Sequence, residues 1–206
     1  DWMETVASRH RSSLREEFDE IPTLIGPLDE RFGGIRPGEL GTIMAASQHG
    51  KSWMMIHLAK AALMLGKHVI FYTAEMPAIR VAQRMDRMAV GVQSIRDVPV
   101  EKVAEAISDY RDRGGSLLIK WLEDGSGVQT IRNHIDLTIR MGRPKPDLIL
   151  VDYGELLRAE EGGGKTEGAY EEQKAVWRGL HSLAVSRNLA IWTASQANRQ
   201  AATKIF

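Results

Sequence analysis

Ala45-Ala46-Ser47-Gln48-His49-Gly50-Lys51-Ser52 is the stretch that decides how this chain folds. An apolar run, residues 41–46, leads into it. Behind it residues 51–65 are apolar almost all round and stop at Gly66, a residue suited to the left-handed position that ends a helix. A strand that turns through Gly-Lys-Ser into a helix is the setting of a phosphate-binding loop. Successive backbone N–H groups and the helix N-terminus make an anion cradle there. Ala46, Ser47, Gln48, His49, Gly50, Lys51, Ser52 and Trp53 are therefore the candidate nucleotide-binding residues. Lys51 is expected to reach the β- and γ-phosphates, and the Ser52 hydroxyl to ligate Mg²⁺. The first position of the pattern is Ala45, where a strict match asks for glycine.

Working outward, four more apolar runs stand out, at residues 68–74, 116–122, 147–153 and 189–195. Near-continuous hydrophobic strands mark a parallel sheet covered on both faces. Helical patterns alternate with them. Val100, Val103, Ile107 and Tyr110 share one helical face, ended by Gly114-Gly115. Ser126 and Gln129 suggest a capping box, followed at helical spacing by Val128, Ile131, Ile135 and Ile139. Val176, Leu180 and Leu183 mark a last long helix. This alternation predicts an α/β fold, a mostly parallel central sheet with helices on both faces. Residues 1–19 read as a mostly polar helix whose Trp2, Val6, Leu14 and Phe18 could dock elsewhere, and residues 159–168 have the composition of a loop.

The remaining motifs carry chemistry because of where those strands end. Asp152 closes the run Asp147-Leu-Ile-Leu-Val-Asp152-Tyr, at the carboxyl edge where open α/β sheets bind ligands. It is the candidate to hold Mg²⁺ through its water shell. Two glutamates compete for the role of general base: Glu75, at the end of the second run, and Glu155, three residues past Asp152. Glu75 is favoured, since the residue directly after Asp152 is Tyr153 and not a second acid. Gln196, ending the fifth run, can donate to the γ-phosphate and relay its loss to the following loop. The catalytic set is thus Glu75, Lys51 and Gln196, and the metal set Ser52 and Asp152.

Composition narrows the class. Among 206 residues, 27 Lys and Arg balance 27 Asp and Glu, so a whole-surface grip on nucleic acid or membrane is not expected. Zero cysteines exclude disulfides and thiolate metal sites and suit a cytoplasmic protein. The six histidines show no metal-ligand spacing. No apolar run is long enough to span a bilayer, and no signal peptide is visible.

Taken together these residues resemble the RecA-like ATPase domain of DnaB-type replicative helicases. The resemblance begins at Ile21-Pro-Thr-Leu-Ile-Gly-Pro-Leu-Asp29 and runs through Gly33-Gly34-Ile-Arg-Pro-Gly-Glu-Leu40, similar to the glycine-rich lead-in before that family's phosphate loop. Ala45 is common there. Ala74-Glu75-Met76 is similar to the motif bearing the catalytic base, with Arg84 matching an arginine in the next helix. Asp152-Tyr153 matches the Walker B ending, and Ser195-Gln196-Ala-Asn198-Arg199 the sensor motif.

The resemblance implies a linker helix or extension over residues 1–20 and an ATPase domain over 21–206. It implies ATP and Mg²⁺ as cofactors, a homo-oligomeric ring (a hexamer) with ATP between subunits, single-stranded DNA as track, and a primase or loader as further partner. Layouts of this size resemble phage or plasmid proteins. Lys165, Arg199 and Lys204 are the candidate DNA-contacting residues, on loops at 158–168 and 197–204. In the family an arginine finger follows the sensor motif. This chain starts at Asp1 and stops at Phe206, so it is expected to be truncated or to lack that finger. The competing expectation is a recombinase-like or clock-type ATPase acting as an assembly switch, since one fold serves several functions. A nucleotide-binding remnant without turnover is disfavoured by the intact Lys51, Glu75 and Asp152.

Overall fold

The computed structural model describes residues 19–46, 48–158 and 169–196. The proposed linker helix up to residue 18, Ser47, and the candidate DNA contacts Lys165, Arg199 and Lys204 lie outside them. Five parallel strands form one sheet: β1 (Leu40–Ala45), β2 (His68–Thr73), β3 (Ser116–Trp121), β4 (Leu148–Asp152) and β5 (Ala190–Gln196). Their spatial order is β1-β5-β4-β2-β3. The helices are α1 (Gly26–Phe32), α2 (Lys51–Met64), α3 (Ala78–Val90), α4 (Val100–Asp112), α5 (Val128–Arg140) and α6 (Ala169–Arg187).

The strands read as unbroken apolar runs because helices cover both faces and successive side chains alternate between them. Val69 and Phe71 of β2, with Leu148 and Leu150 of β4, pack against Met55, Ile56 and Ala59 of α2 and Val81 and Met85 of α3. Their neighbours Ile70, Tyr72, Ile149 and Val151 turn the other way, onto Val128, Ile131 and Ile135 of α5 and Val176, Leu180 and Leu183 of α6. Helix α2 is buried along most of its length, which explains why its sequence shows no polar face. Among the described residues no helix is long and apolar enough to cross a membrane.

Two details differ from expectation. On α4 only Val103 is buried, while Val100 is 71% and Ile107 46% exposed. This helix packs on α3 and α2, at the outer margin of the helical layer beyond the edge strand β3. The expected capping box at Ser126 is also displaced. Gly127 is the N-cap of α5, its N–H donating to Thr130 Oγ1 at 3.4 Å. Ser126 is held outside the helix because its carbonyl accepts the Arg158 N–H at 2.9 Å, beside an isolated bridge between Gly127 and Arg158.

The lead-in segment is tied down by few but definite contacts. Ile21 and Ile35 form a two-residue antiparallel bridge, and the His57 Nε2 of α2 meets the Thr23 carbonyl at 2.8 Å. Gly41, in register with Trp192, lies under its indole, where a Cβ would stand 2.3 Å from a ring carbon. Gly41→Ala should therefore cost roughly 1–3 kcal/mol of stability by overpacking. Adding Trp192→Leu should recover part of that loss, because the two side chains contest one space. Urea unfolding of both variants checks it, and a neutral Gly41→Ala would contradict this packing.

Candidate active site

Among the described residues the candidate groups gather at the carboxyl ends of the strands, and the sheet order decides which of them meet. Between β1 and α2 lies the loop to which the described residues Ala46 and Gln48 to Gly50 belong. Gln48 and Gly50 adopt left-handed φ values of 62° and 83°. A Cβ on Gly50 would meet open space, so glycine is needed there for conformation and not for room. Helix α2 has no side-chain cap and no acidic residue in its first turn. Its free N–H groups and dipole are left to an anion. The Lys51 ammonium donates to the Ala45 carbonyl at 3.3 Å and lies over the Tyr153 ring, 5.4 Å from its centroid.

On β4, Asp152 is 1% exposed. Neither of its carboxylate oxygens has a hydrogen-bond partner among the described residues. The Ser52 hydroxyl interacts with that carboxylate and favours its charged form. Burial raises the Asp152 pKa most. Ser52, Arg84 and Lys51 pull it down, and the nearby Glu75 charge pushes it up. A buried, unpartnered carboxylate costs free energy unless a cation sits beside it. The pair Ser52 and Asp152, a hydroxyl and a carboxylate, is hard-oxygen chemistry that fits Mg²⁺. Among the described residues no three His, Cys, Asp or Glu converge as a metal cage, so such an ion would share its shell with water and phosphate.

Beside the buried Asp152 lies one cleft of about 410 Å³, lined by Gln48, Gly50, Lys51, Ser52 and Trp53, by Glu75, Met76 and Arg84, and by Tyr153 and Gln196. Glu75 lies between β2 and α3, in the bend after Thr73. Glu155 is held elsewhere, accepting the Ser195 hydroxyl at 2.5 Å and the Gln196 N–H at 2.7 Å. Two of the expected loop residues do not line the cleft. Ala46 and His49 make its turn, the His49 N–H donating to the Ala46 carbonyl at 3.3 Å. A second cavity of about 340 Å³ lies between α3, α4 and β3, walled mostly by apolar side chains such as Leu63, Met85 and Val103, and holds none of the motif residues.

Trp53, Arg84 and Tyr153 are already named from the sequence, but their contacts, and Arg87 as a neighbour, are not. Tyr153 carries Lys51 on its ring face. Trp53 carries two guanidinium groups, those of Arg84 and Arg87 at 5.5 and 4.8 Å from the ring centroid. Helical spacing places Arg84 and Arg87 one turn apart. Nothing local points to a tryptophan on another helix.

A parallel sheet in which β5 lies between the loop-bearing β1 and the acid-bearing β4, with both chemistries at one edge, defines a RecA-like P-loop fold. Residues 20–205 match the DnaB-like helicase C-terminal domain, and the chain belongs to that family. It is 27% identical over 210 residues to the DnaB-like replicative helicase of Enterobacteria phage T4, covering 98% of this chain and 44% of that protein. It is 23% identical over 207 residues to the replicative DNA helicase DnaB of Leifsonia xyli subsp. xyli, covering 95% of this chain and 42% of the other. The chain thus spans less than half the length of either curated relative. A solved DnaB-like replicative helicase, described with its interactions with primase, superposes with a TM-score of 0.77 at 19% identity, over 98% of this chain and 50% of that one. A solved ATPase domain superposes at 0.71 with 18% identity, over 97% and 72%.

The Asp152 environment carries a pH prediction. Its native pKa is raised, so the native state holds its proton more tightly than the unfolded chain. The stability this lends is fully present below the ordinary carboxylate range and is lost as pH climbs through the raised native value. Asp152→Asn should therefore raise Tm at neutral pH in the absence of nucleotide and Mg²⁺, by about 2–4 °C per kcal/mol relieved. That gain should shrink as pH falls toward the carboxylate range. Scanning calorimetry across pH measures it, and a variant less stable than wild type at neutral pH contradicts the reading.

Proposed function

We propose that this chain is the Mg²⁺-ATP-dependent motor domain of a ring-forming replicative helicase, translocating on single-stranded DNA in the cytoplasm. The observation that carries the reading is the buried Asp152 carboxylate, which lacks a hydrogen-bond partner among the described residues and lies behind Ser52 at a cleft that Ser52 lines together with Lys51 and Glu75. That arrangement leaves a place for a cation between a hydroxyl and a carboxylate, and an ammonium and free helix N–H groups for phosphates.

Each side chain has one task. The loop N–H groups and Lys51 bind the β- and γ-phosphates and align them. Ser52, with Asp152 through water, would hold Mg²⁺, which would supply positive charge against the charge developing on the phosphates. Glu75 orients and deprotonates the attacking water. Its rival Glu155 has its carboxylate committed to β5, which favours Glu75 as the base. Gln196 donates to the γ-phosphate. We assign residues 21–206 to the ATPase domain and 1–20 to a linker helix. Lys165, Arg199 and Lys204 contact DNA phosphates, the ring is a hexamer with ATP between subunits, and a primase or loader engages it. The family, the relatives' names and the superposition on a helicase described with primase support these assignments.

Steady-state ATPase rates with and without single-stranded DNA test the motor. Turnover should rise on adding DNA. Glu75→Gln should keep ATP binding and slow hydrolysis by roughly 10²–10⁴-fold, with Glu155→Gln doing much less. Rapid, DNA-independent turnover by a chain shown to be monomeric by light scattering would contradict the motor and favour a switch ATPase. A reversed order of damage would reassign the base.

A further inference from the structure

The inner end of β5 is short of backbone partners on one side. Its ladder with β4 runs from Leu148↔Ala190 to Val151↔Thr193 and stops there. Its ladder with β1 continues three residues further, through Ile43↔Ala194 and Met44↔Ser195 to Ala45↔Gln196. Past Val151 the acid strand keeps its pairing with β2, where Asp152 lies opposite Thr73, and then turns into the 3-10 segment Gly154–Leu156. Ser195 and Gln196 are thus anchored by the phosphate-loop strand on one side and by no strand on the other.

Glu155, within that 3-10 turn, fills the gap. One carboxylate oxygen accepts both the Ser195 hydroxyl at 2.5 Å and the Gln196 N–H at 2.7 Å. The turn itself is bolted to the same strand, because the Gly154 N–H donates to Thr193 Oγ1 at 3.1 Å, and that hydroxyl donates to the Val151 carbonyl at 3.0 Å. Ser195 is 7% exposed, so water is a poor substitute partner for its hydroxyl. Bonds to an ionised acceptor are about twice as strong as neutral ones.

We infer that Glu155 is a positioning residue for Gln196: its carboxylate stands in for the missing β4 ladder and holds the Gln196 side chain at the cleft. The inference rests on the reading of Gln196 as a γ-phosphate contact. Glu155 touches no phosphate and moves no proton. It acts through the backbone of the residue it fixes. Because the turn follows Asp152 directly, the acid that faces the cation and the anchor of the sensor strand are separated by only three positions.

The test is DNA-stimulated ATPase kinetics of the full chain in Glu155→Ala, Glu155→Gln, Gln196→Ala and the double variant Glu155→Ala/Gln196→Ala. Losing charge-assisted bonds should lower kcat by roughly 10-fold in Glu155→Ala. KM for ATP should change little, since a γ-phosphate donor acts mainly in the transition state. Glu155→Gln keeps an acceptor oxygen and should recover most of that loss. In the Gln196→Ala background Glu155→Ala should add nothing further, as both act through one side chain. Additive losses, or equal losses in Glu155→Gln and Glu155→Ala, overturn the proposal. If Gln196→Ala leaves kcat intact, the γ-phosphate reading has failed and the proposal falls with it. A kcat loss in Gln196→Ala with none in Glu155→Ala sinks the positioning role alone. Should Glu155→Ala fail to fold by circular dichroism, Ser195→Ala is read instead. A kcat loss that Gln196→Ala masks supports the proposal, and an unchanged kcat overturns it.

Discussion

The site depends on one unbalanced charge. Asp152 lies at the end of a strand buried on both faces, and both of its oxygens lack a hydrogen-bond partner among the described residues. A protein interior tolerates such a carboxylate only when it is neutralised or meets a cation. Burial pushes its pKa up, as does the Glu75 charge, while Ser52, Arg84 and Lys51, which line the neighbouring cleft, pull it down. A cation held by Ser52 and Asp152, as proposed, would offset the cost of that burial. Stability and ligand binding are two readings of one interaction.

The sheet order is what makes the arrangement possible. With β5 between β1 and β4, the loop after β1 and the buried acid are one strand apart at the same edge of the sheet. The same inserted strand ends in Gln196, at the mouth of the gap it spans. Where β4 and β5 stop pairing, a cleft opens and a side chain, Glu155, takes over the role of the backbone. Aromatic rings complete the frame. Tyr153 lies under Lys51, and Trp53 under Arg84 and Arg87, so the cations have neighbours before any phosphate arrives.

Much of this was legible in the amino-acid sequence, for physical reasons. Each strand is covered on both faces, so alternate residues such as Ile149 and Leu150 are both apolar and the run stands out. The loop announced itself because an anion cradle needs glycine at a left-handed φ just before a helix, which is what Gly50 supplies. What stayed hidden depends on tertiary context. Local spacing cannot say that α4 lies at the outer margin of the helical layer and leaves Val100 and Ile107 exposed, or that Arg158 draws Ser126 out of α5. The Trp53 and Arg87 contact joins separate helices, and the role of Glu155 follows from where a ladder ends. Neither feature has a local signature.

The central claim is that the Ser52 and Asp152 pair is a site for a cation carried by a triphosphate. Isothermal calorimetry of ATP binding, with Mg²⁺ and then with excess chelator, measures it most directly. The account predicts binding that is strong with Mg²⁺ and collapses on chelation in the wild type, and a Ser52→Ala variant that gains little from Mg²⁺. Equal ATP affinity in both buffers, with Ser52→Ala indistinguishable from wild type, would contradict it.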